Sequence, residues 1–226
     1  MIGCGISRED LSRMQAFGCM GGDGSGYANL SIEELEAAVV KLLKPNRISH
    51  VLGCRDTAVE LAKLWGADET DAARAALLHD ITKALGPDLQ LELCKNYQVK
   101  PDRFSQENPK TLHALTGSLV AQHIFRENPA VVNAIESHTT GKADMTLLEK
   151  IIYVADYMEP NRDFEGVQQL RRLAYSNMDE AVMLGLSMTL DMLRQQGREV
   201  SAKSREAMEF LMKKERYDVN SKTGSL

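Results

Sequence analysis

Helix start and stop signals recur along the chain from Ser31 onward and constrain its fold more than any other feature. The motifs SIEEL at Ser31 and TLLEK at Thr146 each place a glutamate three residues after a hydroxyl residue, the pattern of a helix-capping box. Gly66 is positioned to end a helix, and Pro45 and Pro160 cannot continue one. No segment shows the sustained polar–apolar alternation of a strand. The sequence therefore predicts an all-α fold.

Glycine content divides the chain into three regions. Residues 1–30 contain seven of the sixteen glycines, which predicts a flexible N-terminal extension around a short helix in SREDLSRMQAF. Residues 31–216 carry the helix signals and are predicted to form one domain, and residues 217–226 form a polar tail. Within the domain we expect a helix from residue 47 to 65 and others at 178–196 and 202–216. A further helix is expected to be capped by Asp68, to run through His79 and to break near Gly86-Pro87.

Composition and charge exclude several classes of function. The net charge of −5 and the lack of a basic tract argue against a nucleic-acid-binding protein. No apolar run reaches the roughly 20 residues of a membrane span, and the N-terminus lacks the pattern of a signal peptide. The four cysteines are widely spaced, as expected for reduced thiols. The chain is therefore predicted to be cytoplasmic, with no membrane and no nucleic-acid partner.

The segment ALLHDITKAL, residues 75–84, sets a histidine and an aspartate side by side in an apolar, alanine-rich run. A buried carboxylate is costly unless it is paired, hydrogen-bonded or bound to a metal. Ala72, Ala76, His79 and Lys83 share one face at helical spacing, and Asp80 lies about 100° further round the helix. The small alanines would let a neighbouring helix approach this face.

Further polar residues lie on apolar stripes of other predicted helices. Together with the doublet they come from five different helices: His50, His79, Asp80, His113, His138 and Asp156. A single histidine on an apolar face is more often a hydrogen-bonded core residue than a ligand, but six such residues favour one shared explanation. Imidazole and carboxylate together suit iron, zinc, manganese or cobalt. His123, ten residues past His113 and on another face, is predicted to be structural or exposed.

The pattern of these residues resembles the signature of a known protein family. His50, the His79-Asp80 doublet and Asp156 match the H…HD…D signature of the HD-domain metal-dependent phosphohydrolases. The segments RISH, HDITK, LHALTG, HTTG and ADYMEPNR are similar to those of the bacterial YqeK-type HD proteins, which are symmetrical diadenosine tetraphosphate hydrolases. The resemblance covers residues 31–215 approximately. It implies an HD-domain helical bundle with a metal centre between its helices.

The resemblance also implies a two-metal centre, described in the family with iron, with zinc, manganese and cobalt as alternatives. The first ion would be held by four residues: His50, His79, Asp80 and Asp156. The second ion would be held by Asp80, His113 and His138, with the Asp80 carboxylate bridging both. The implied reaction is attack by a hydroxide between the ions on diadenosine tetraphosphate, which gives two ADP.

Substrate contacts are predicted around this centre. Asp80 and Lys83 are the expected catalytic residues, and Lys83 also reaches a phosphate oxygen as a point charge. The remaining expected substrate-binding residues are Arg47, His113, Thr139, Thr140, Arg162, Arg198 and Lys203. The segment GREVSAKS lacks the histidine that relatives often carry before the last helix, which weakens the contacts assigned there. The expected partner is a small nucleotide, and a homodimer is left open.

Three other functions fit parts of this pattern. A nucleotidase or phosphodiesterase on simpler nucleotides would use the same centre, and so would a mixed-valence di-iron oxygenase. A non-catalytic nucleotide-sensing protein belongs to a different class. Lys83 and Arg162 favour a phosphate substrate over oxidation, and the complete set of six ligands argues against a sensor without chemistry.

Overall fold

The computed structural model describes residues 6–223, with side chains placed through residue 217. These residues form α-helices and one 3-10 helix at Pro109–Thr111, and the described part of the chain contains no strand. The helices are α1 (Arg8–Ala16), α2 (Ile32–Leu42), α3 (Pro45–Trp65), α4 (Glu69–Leu78), α5 (Pro87–Asn96), α6 (Arg103–Glu107), α7 (Leu112–His123), α8 (Pro129–Ser137), α9 (Leu147–Met158), α10 (Val167–Ala174), α11 (Met178–Gln195) and α12 (Ala202–Thr223). The all-α prediction is confirmed.

Both predicted capping boxes are formed. The Ser31 hydroxyl accepts from the Glu34 backbone N–H at 3.2 Å, and the Glu34 carboxylate accepts from the Ser31 N–H at 2.8 Å. Thr146 and Glu149 make the equivalent pair at 3.3 and 2.7 Å at the start of α9. Gly66 has a φ of 78° and ends α3, as predicted, in the left-handed conformation that favours glycine. These signals fix where the site-bearing helices begin and end.

Small residues bring those helices together. Helix α3 packs on α4 and α9, and α8 packs on α7, α4 and α9. Ala72, Ala75 and Ala76 of α4 are fully buried, so the neighbouring backbones approach closely. A Cβ atom at Gly117 of α7 would lie 3.4 Å from the His79 carbonyl oxygen. The small-residue face predicted on α4, together with Gly117 of α7, thus places both helices against the same polar centre.

Helix α4 is shorter than predicted. It ends at Leu78 with His79 as its C-cap, and residues 80–83 form turns instead of a further helical turn. The backbone N–H of Lys83 donates to the Asp80 carbonyl three residues earlier, and Ile81 bonds to Leu78 in the same way. The prediction that Lys83 continues the helical face of His79 is therefore wrong. Asp80 therefore lies in a turn, outside the regular helix.

The N-terminal region packs on the core. Met14 and Phe17 are fully buried in the main hydrophobic cluster. The buried Arg13 donates from Nε to the Leu42 carbonyl at 2.7 Å, and the Tyr97 hydroxyl donates to the Phe17 carbonyl at 2.7 Å. The prediction of a flexible extension is wrong for these residues, although the short helix expected there is present as α1. Residues 1–5 lie outside the described residues.

The C-terminal helix is longer than predicted. Helix α12 continues past residue 216 to Thr223, so most of the expected polar tail is helical, and residues 224–226 lie outside the described part. Cys19, Cys54 and Cys94 are buried free thiols, and Cys4 is not among the described residues. Within residues 6–223, no helix combines the length and hydrophobicity needed to cross a membrane.

Candidate metal centre

The six predicted ligands converge on one buried site. Their exposed fractions are all 9% or less. The contributing positions are His50 on α3, His79 at the end of α4, Asp80 in the following turn, His113 on α7, His138 at the end of α8 and Asp156 on α9. Three overlapping groups of these residues place their ligand atoms within 4.8 Å of one another, as one metal ion requires. Residues distant in sequence thus form one polar cluster.

Asp80 lies between two sets of ligand atoms. Its Oδ2 atom is 3.6 Å from Nε2 of both His50 and His79. Its Oδ1 atom is 3.2 Å from Nε2 of His113 and 3.9 Å from Nε2 of His138. Asp156 completes the first set, with Oδ1 3.1 Å from His50 Nε2. Each oxygen of the Asp80 carboxylate therefore faces a different set, the arrangement that a bridging ligand needs.

Backbone hydrogen bonds orient three of the imidazoles. His79, His113 and His138 each donate from Nδ1 to the carbonyl three residues earlier, at 2.6–2.7 Å. Burial lowers the pKa of His79 well below its usual value and that of His113 and His138 to about 3, so these rings are neutral. With Nδ1 protonated, the lone pair of each ring is on Nε2, which faces the centre.

This donor set fits a divalent transition metal. The Nε2 atoms of His113 and His138 lie 3.1 Å apart, and those of His50 and His79 lie 3.3 Å apart. Nitrogen lone pairs at such distances repel one another unless a cation lies between them. The buried Asp80 Oδ1 atom accepts no hydrogen bond, which also fits a position next to a cation. Imidazole and carboxylate are ligands for iron, manganese, cobalt and zinc.

Glu159 contacts the candidate centre, although the sequence did not predict it there. Its Oε1 atom lies 3.0 Å from His50 Nδ1, and its Oε2 atom accepts from the backbone and side-chain nitrogens of Asn161 at 2.7 and 2.8 Å. A Cβ atom at Gly53 would lie 2.7 Å from Oε2, so glycine gives this buried carboxylate its space. Glu159 belongs to the segment ADYMEPNR, but a glutamate before Pro160 is also typical of an ordinary helix end.

We expect Glu159→Gln to lower the affinity of the centre for metal by about 10- to 100-fold, the usual effect of removing the carboxylate partner of a metal-ligating histidine. Competition with a chelator measures this change. Glu127→Gln is the matched control, because Glu127 is equally a buried glutamate but pairs with Arg74 at 2.7 Å, away from the centre. The control should lose stability and keep its metal affinity. Equal affinities in both variants would contradict the role given to Glu159.

Three cationic side chains surround the ligands. Lys83 Nζ is 3.3 Å from Asp80 Oδ1, and the Arg47 guanidinium contacts Asp80 Oδ2. Arg162 donates from Nη2 to Asp156 Oδ1 at 2.6 Å and from Nε to the Asp156 carbonyl at 2.9 Å. Burial lowers the pKa of Lys83 to about 8, which still leaves the amine mostly protonated at neutral pH. The structure thus places Arg47, Lys83 and Arg162 at the centre.

The other predicted substrate contacts lie elsewhere. Thr139, Thr140 and Lys203 line a cavity of about 260 Å³, and none of the six candidate ligands is among its described lining residues. Arg198 lies between α11 and α12, where its N–H donates to the Leu193 carbonyl, and among the described residues it lines neither this cavity nor the larger one beside Arg162. The structure does not bring these four residues into the metal centre.

His123 lies outside the centre, as predicted. Its ring stacks on Tyr97 with centroids 4.6 Å apart and an interplanar angle of 11°. Among the described residues, His123 belongs to none of the three groups of candidate metal-ligating atoms. The structure thus separates His123 from the four histidines of the candidate centre.

Comparison with known proteins defines the class. The family model described as "HD domain" matches residues 47–161, which include all six candidate ligands. The chain belongs to the HD-domain family. Family membership implies that the chain binds divalent metal, in agreement with the His/Asp cluster.

The chain is also similar to individual enzymes and to a solved structure. The chain is 37% identical to the symmetrical bis(5'-nucleosyl)-tetraphosphatase of Bacillus subtilis, over 74% of this chain and 90% of that protein. It is 31% identical to the enzyme of the same name from Staphylococcus aureus, over 65% of this chain and 76% of that protein. A crystal structure of a predicted HD superfamily hydrolase involved in NAD metabolism from Clostridium acetobutylicum superposes with a TM-score of 0.79 at 34% identity, covering 82% of this chain and 98% of that one.

Proposed function

We propose that this chain is a metal-dependent hydrolase that cleaves diadenosine tetraphosphate symmetrically into two ADP. The observation that carries the proposal is the Asp80 carboxylate, whose two oxygens face two histidine sets and which Lys83 and Arg47 contact, while Arg162 contacts the neighbouring Asp156. Relatives that share the site-bearing region at 31–37% identity carry this activity in their names. A cluster of metal ligands with adjacent cations suits a substrate rich in phosphate.

We assign two metal sites to the cluster, with iron as the leading metal. The first site comprises His50, His79, Asp80 and Asp156, and the second comprises Asp80, His113 and His138. The two oxygens of Asp80 support the bridging role, and the Nδ1 hydrogen bonds of the histidines support ligation through Nε2. Cations held there would activate a water molecule and offset the charge that develops on the attacked phosphorus.

The cationic side chains bind and orient the tetraphosphate. Lys83, Arg47 and Arg162 lie next to the ligand carboxylates, so their donors reach phosphate oxygens bound at the same place. Addition of one water across the central P–O–P linkage breaks it and gives two ADP. The departing diphosphate spreads its charge over several oxygens, so the reaction needs no strong general acid from the protein.

We expect Lys83→Ala to lower kcat on the order of 100-fold while the metal content stays unchanged, because the lysine stabilises charge in the transition state and ligates no metal. Steady-state kinetics and metal analysis of the same preparation measure both quantities. Lys95→Ala is the control, since Lys95 is 76% exposed and pairs with Glu92 on the surface. Loss of metal together with activity in Lys83→Ala would contradict the assignment.

A nucleotide panel tests the proposed substrate against simpler nucleotides. The metal-loaded enzyme is assayed with diadenosine tetraphosphate, ATP, ADP, AMP and a cyclic or aryl phosphodiester. The proposal predicts the highest kcat/KM for diadenosine tetraphosphate. A higher value for a mononucleotide or a diester would instead identify a nucleotidase or phosphodiesterase.

A further inference from the structure

A cavity of about 690 Å³ adjoins the metal centre on the side of Asp156 and Arg162, and both residues line it. Its other walls come from the loop after α9 and from α11. Asp156 is the one candidate ligand among its described lining residues, so most of its wall lies outside the metal centre. Its volume lies within the range of small-molecule sites, which are mostly apolar with a few oriented polar groups.

Two aromatic and two thioether side chains form the apolar part of the wall of this cavity. Tyr157 and Phe164 meet edge to face, with ring centroids 5.9 Å apart and an interplanar angle of 87°. Met188 and Met192 of α11 form the facing wall. Phe164 is 36% exposed and Met192 is 46% exposed. Exposed aromatic and methionine side chains around one cavity present flat, polarizable surface that suits an aromatic ring.

The loop backbone and a partly buried contact between two hydroxyl groups hold this wall in position. Gly166 has a φ of 92°, and a Cβ atom there would lie 2.2 Å from Met188 Cε. The positive φ favours glycine at this position, and a larger residue would also displace the end of the Met188 side chain. On the opposite side, the Tyr157 hydroxyl hydrogen-bonds the Thr189 hydroxyl. The cavity is therefore shaped by contacts that do not belong to the metal centre.

The cavity wall also carries charged side chains of both signs. Arg162 lies against Asp156 of the metal centre. Glu165 and Asp191 are exposed, and Asp191 pairs with Arg194 at 3.3 Å. Carboxylates repel phosphates but accept hydrogen bonds from sugar hydroxyl groups. A ligand that extends from the metal centre would thus have its phosphates at Arg162 and its uncharged part beyond them.

We infer that this cavity binds one nucleoside of the substrate, with the base on the Phe164 and Met192 side chains and the α-phosphate toward Arg162. The inference rests on the proposed function and adds a site for recognition of the base. Replacing an aromatic side chain that stacks on a base by alanine typically weakens binding by about 5- to 150-fold. Phe164 is therefore a specificity residue, separate from the residues that hold metal or phosphate.

Calorimetric titration of the metal-loaded protein with ADP and with inorganic pyrophosphate tests this inference. Phe164→Ala should weaken ADP binding by about tenfold or more and leave pyrophosphate binding unchanged, because pyrophosphate has no nucleoside. Met192→Ala should change ADP binding in the same direction by a smaller factor. Phe104→Ala is the matched control, since Phe104 lines the separate 260 Å³ cavity and should leave both ligands unaffected.

The remaining outcomes overturn the inference in distinguishable ways. A loss of ADP affinity in Phe104→Ala but not in Phe164→Ala would place the nucleoside in the other cavity. Unchanged ADP binding in all three variants would mean that the nucleoside does not contact these walls. If the wild-type protein neither binds ADP nor hydrolyses diadenosine tetraphosphate, the proposed function itself fails and the nucleoside site fails with it.

Discussion

Substitution of Asp80 by alanine should remove metal from both sites and reduce turnover by more than about 100-fold. Loss of the carboxylate partner of a ligand already lowers affinity 10- to 100-fold, and Asp80 is assigned as a direct ligand to both ions. Its side chain is fully buried, with one oxygen toward each histidine set. Metal analysis of purified protein, followed by a turnover assay on the same sample, measures the effect.

His123→Ala is the control for this substitution. It also removes a polar side chain, but His123 stacks on Tyr97 away from the centre, so the variant should keep its metal and its turnover. Asp80→Asn preserves the side-chain volume and separates loss of the charge from loss of packing. An Asp80→Ala protein that retains two metal ions per chain would contradict the bridging assignment.

Phe17→Ala should lower the free energy of unfolding by about 3–5 kcal/mol, the usual effect of removing a fully buried phenylalanine. Phe17 is 0% exposed and belongs to the main hydrophobic core, although it lies in the glycine-rich N-terminal region. Denaturant unfolding measures the change. The expectation follows from packing alone and does not depend on the proposed activity.

Leu11→Ala, on the helix that Phe17 caps, is the matched control. Leu11 is 39% exposed, so its loss should change stability by no more than about 0.5 kcal/mol. A Phe17→Ala variant as stable as the Leu11→Ala variant would mean that the N-terminal helix does not pack on the core in solution.

The ligands of the centre were predictable because buried polar residues need partners. Each of His50, His113 and Asp156 lies on an apolar stripe, and a common metal site explains them together. Glu159 was not predictable by the same argument, since it follows the last turn of α9 and its neighbour Pro160 gives an ordinary reason for a polar helix end. Only the fold shows that its carboxylate contacts the His50 ring.

The prediction of a flexible N-terminal region was wrong because it rested on glycine content and not on the apolar residues that can be buried there. Glycine-rich segments are usually flexible, but here glycine also allows close contact. A Cβ atom at Gly24 would lie 2.4 Å from Ile124 Cδ1, and one at Gly22 would lie 2.1 Å from the Gln15 carbonyl oxygen. The buried Met14 and Phe17 follow helical spacing and were the better guide.

The turn at Asp80 could not be predicted from the sequence pattern either. Helical spacing continues from Ala76 through His79 to Lys83, so periodicity alone extends α4 too far. In the structure, the His79 ring donates to the Ala76 carbonyl and the next backbone bonds span three residues instead of four. The helix therefore ends immediately before Asp80, whose two carboxylate oxygens face two sets of histidines.

The account is tested most directly by chromatography of the first products formed from diadenosine tetraphosphate by the metal-loaded enzyme. Hydrolysis of the central linkage at the Asp80 centre predicts ADP as the sole early product, formed as two molecules for each substrate consumed. ATP and AMP in equal amounts would contradict symmetrical cleavage, even if metal analysis had found both ions in place.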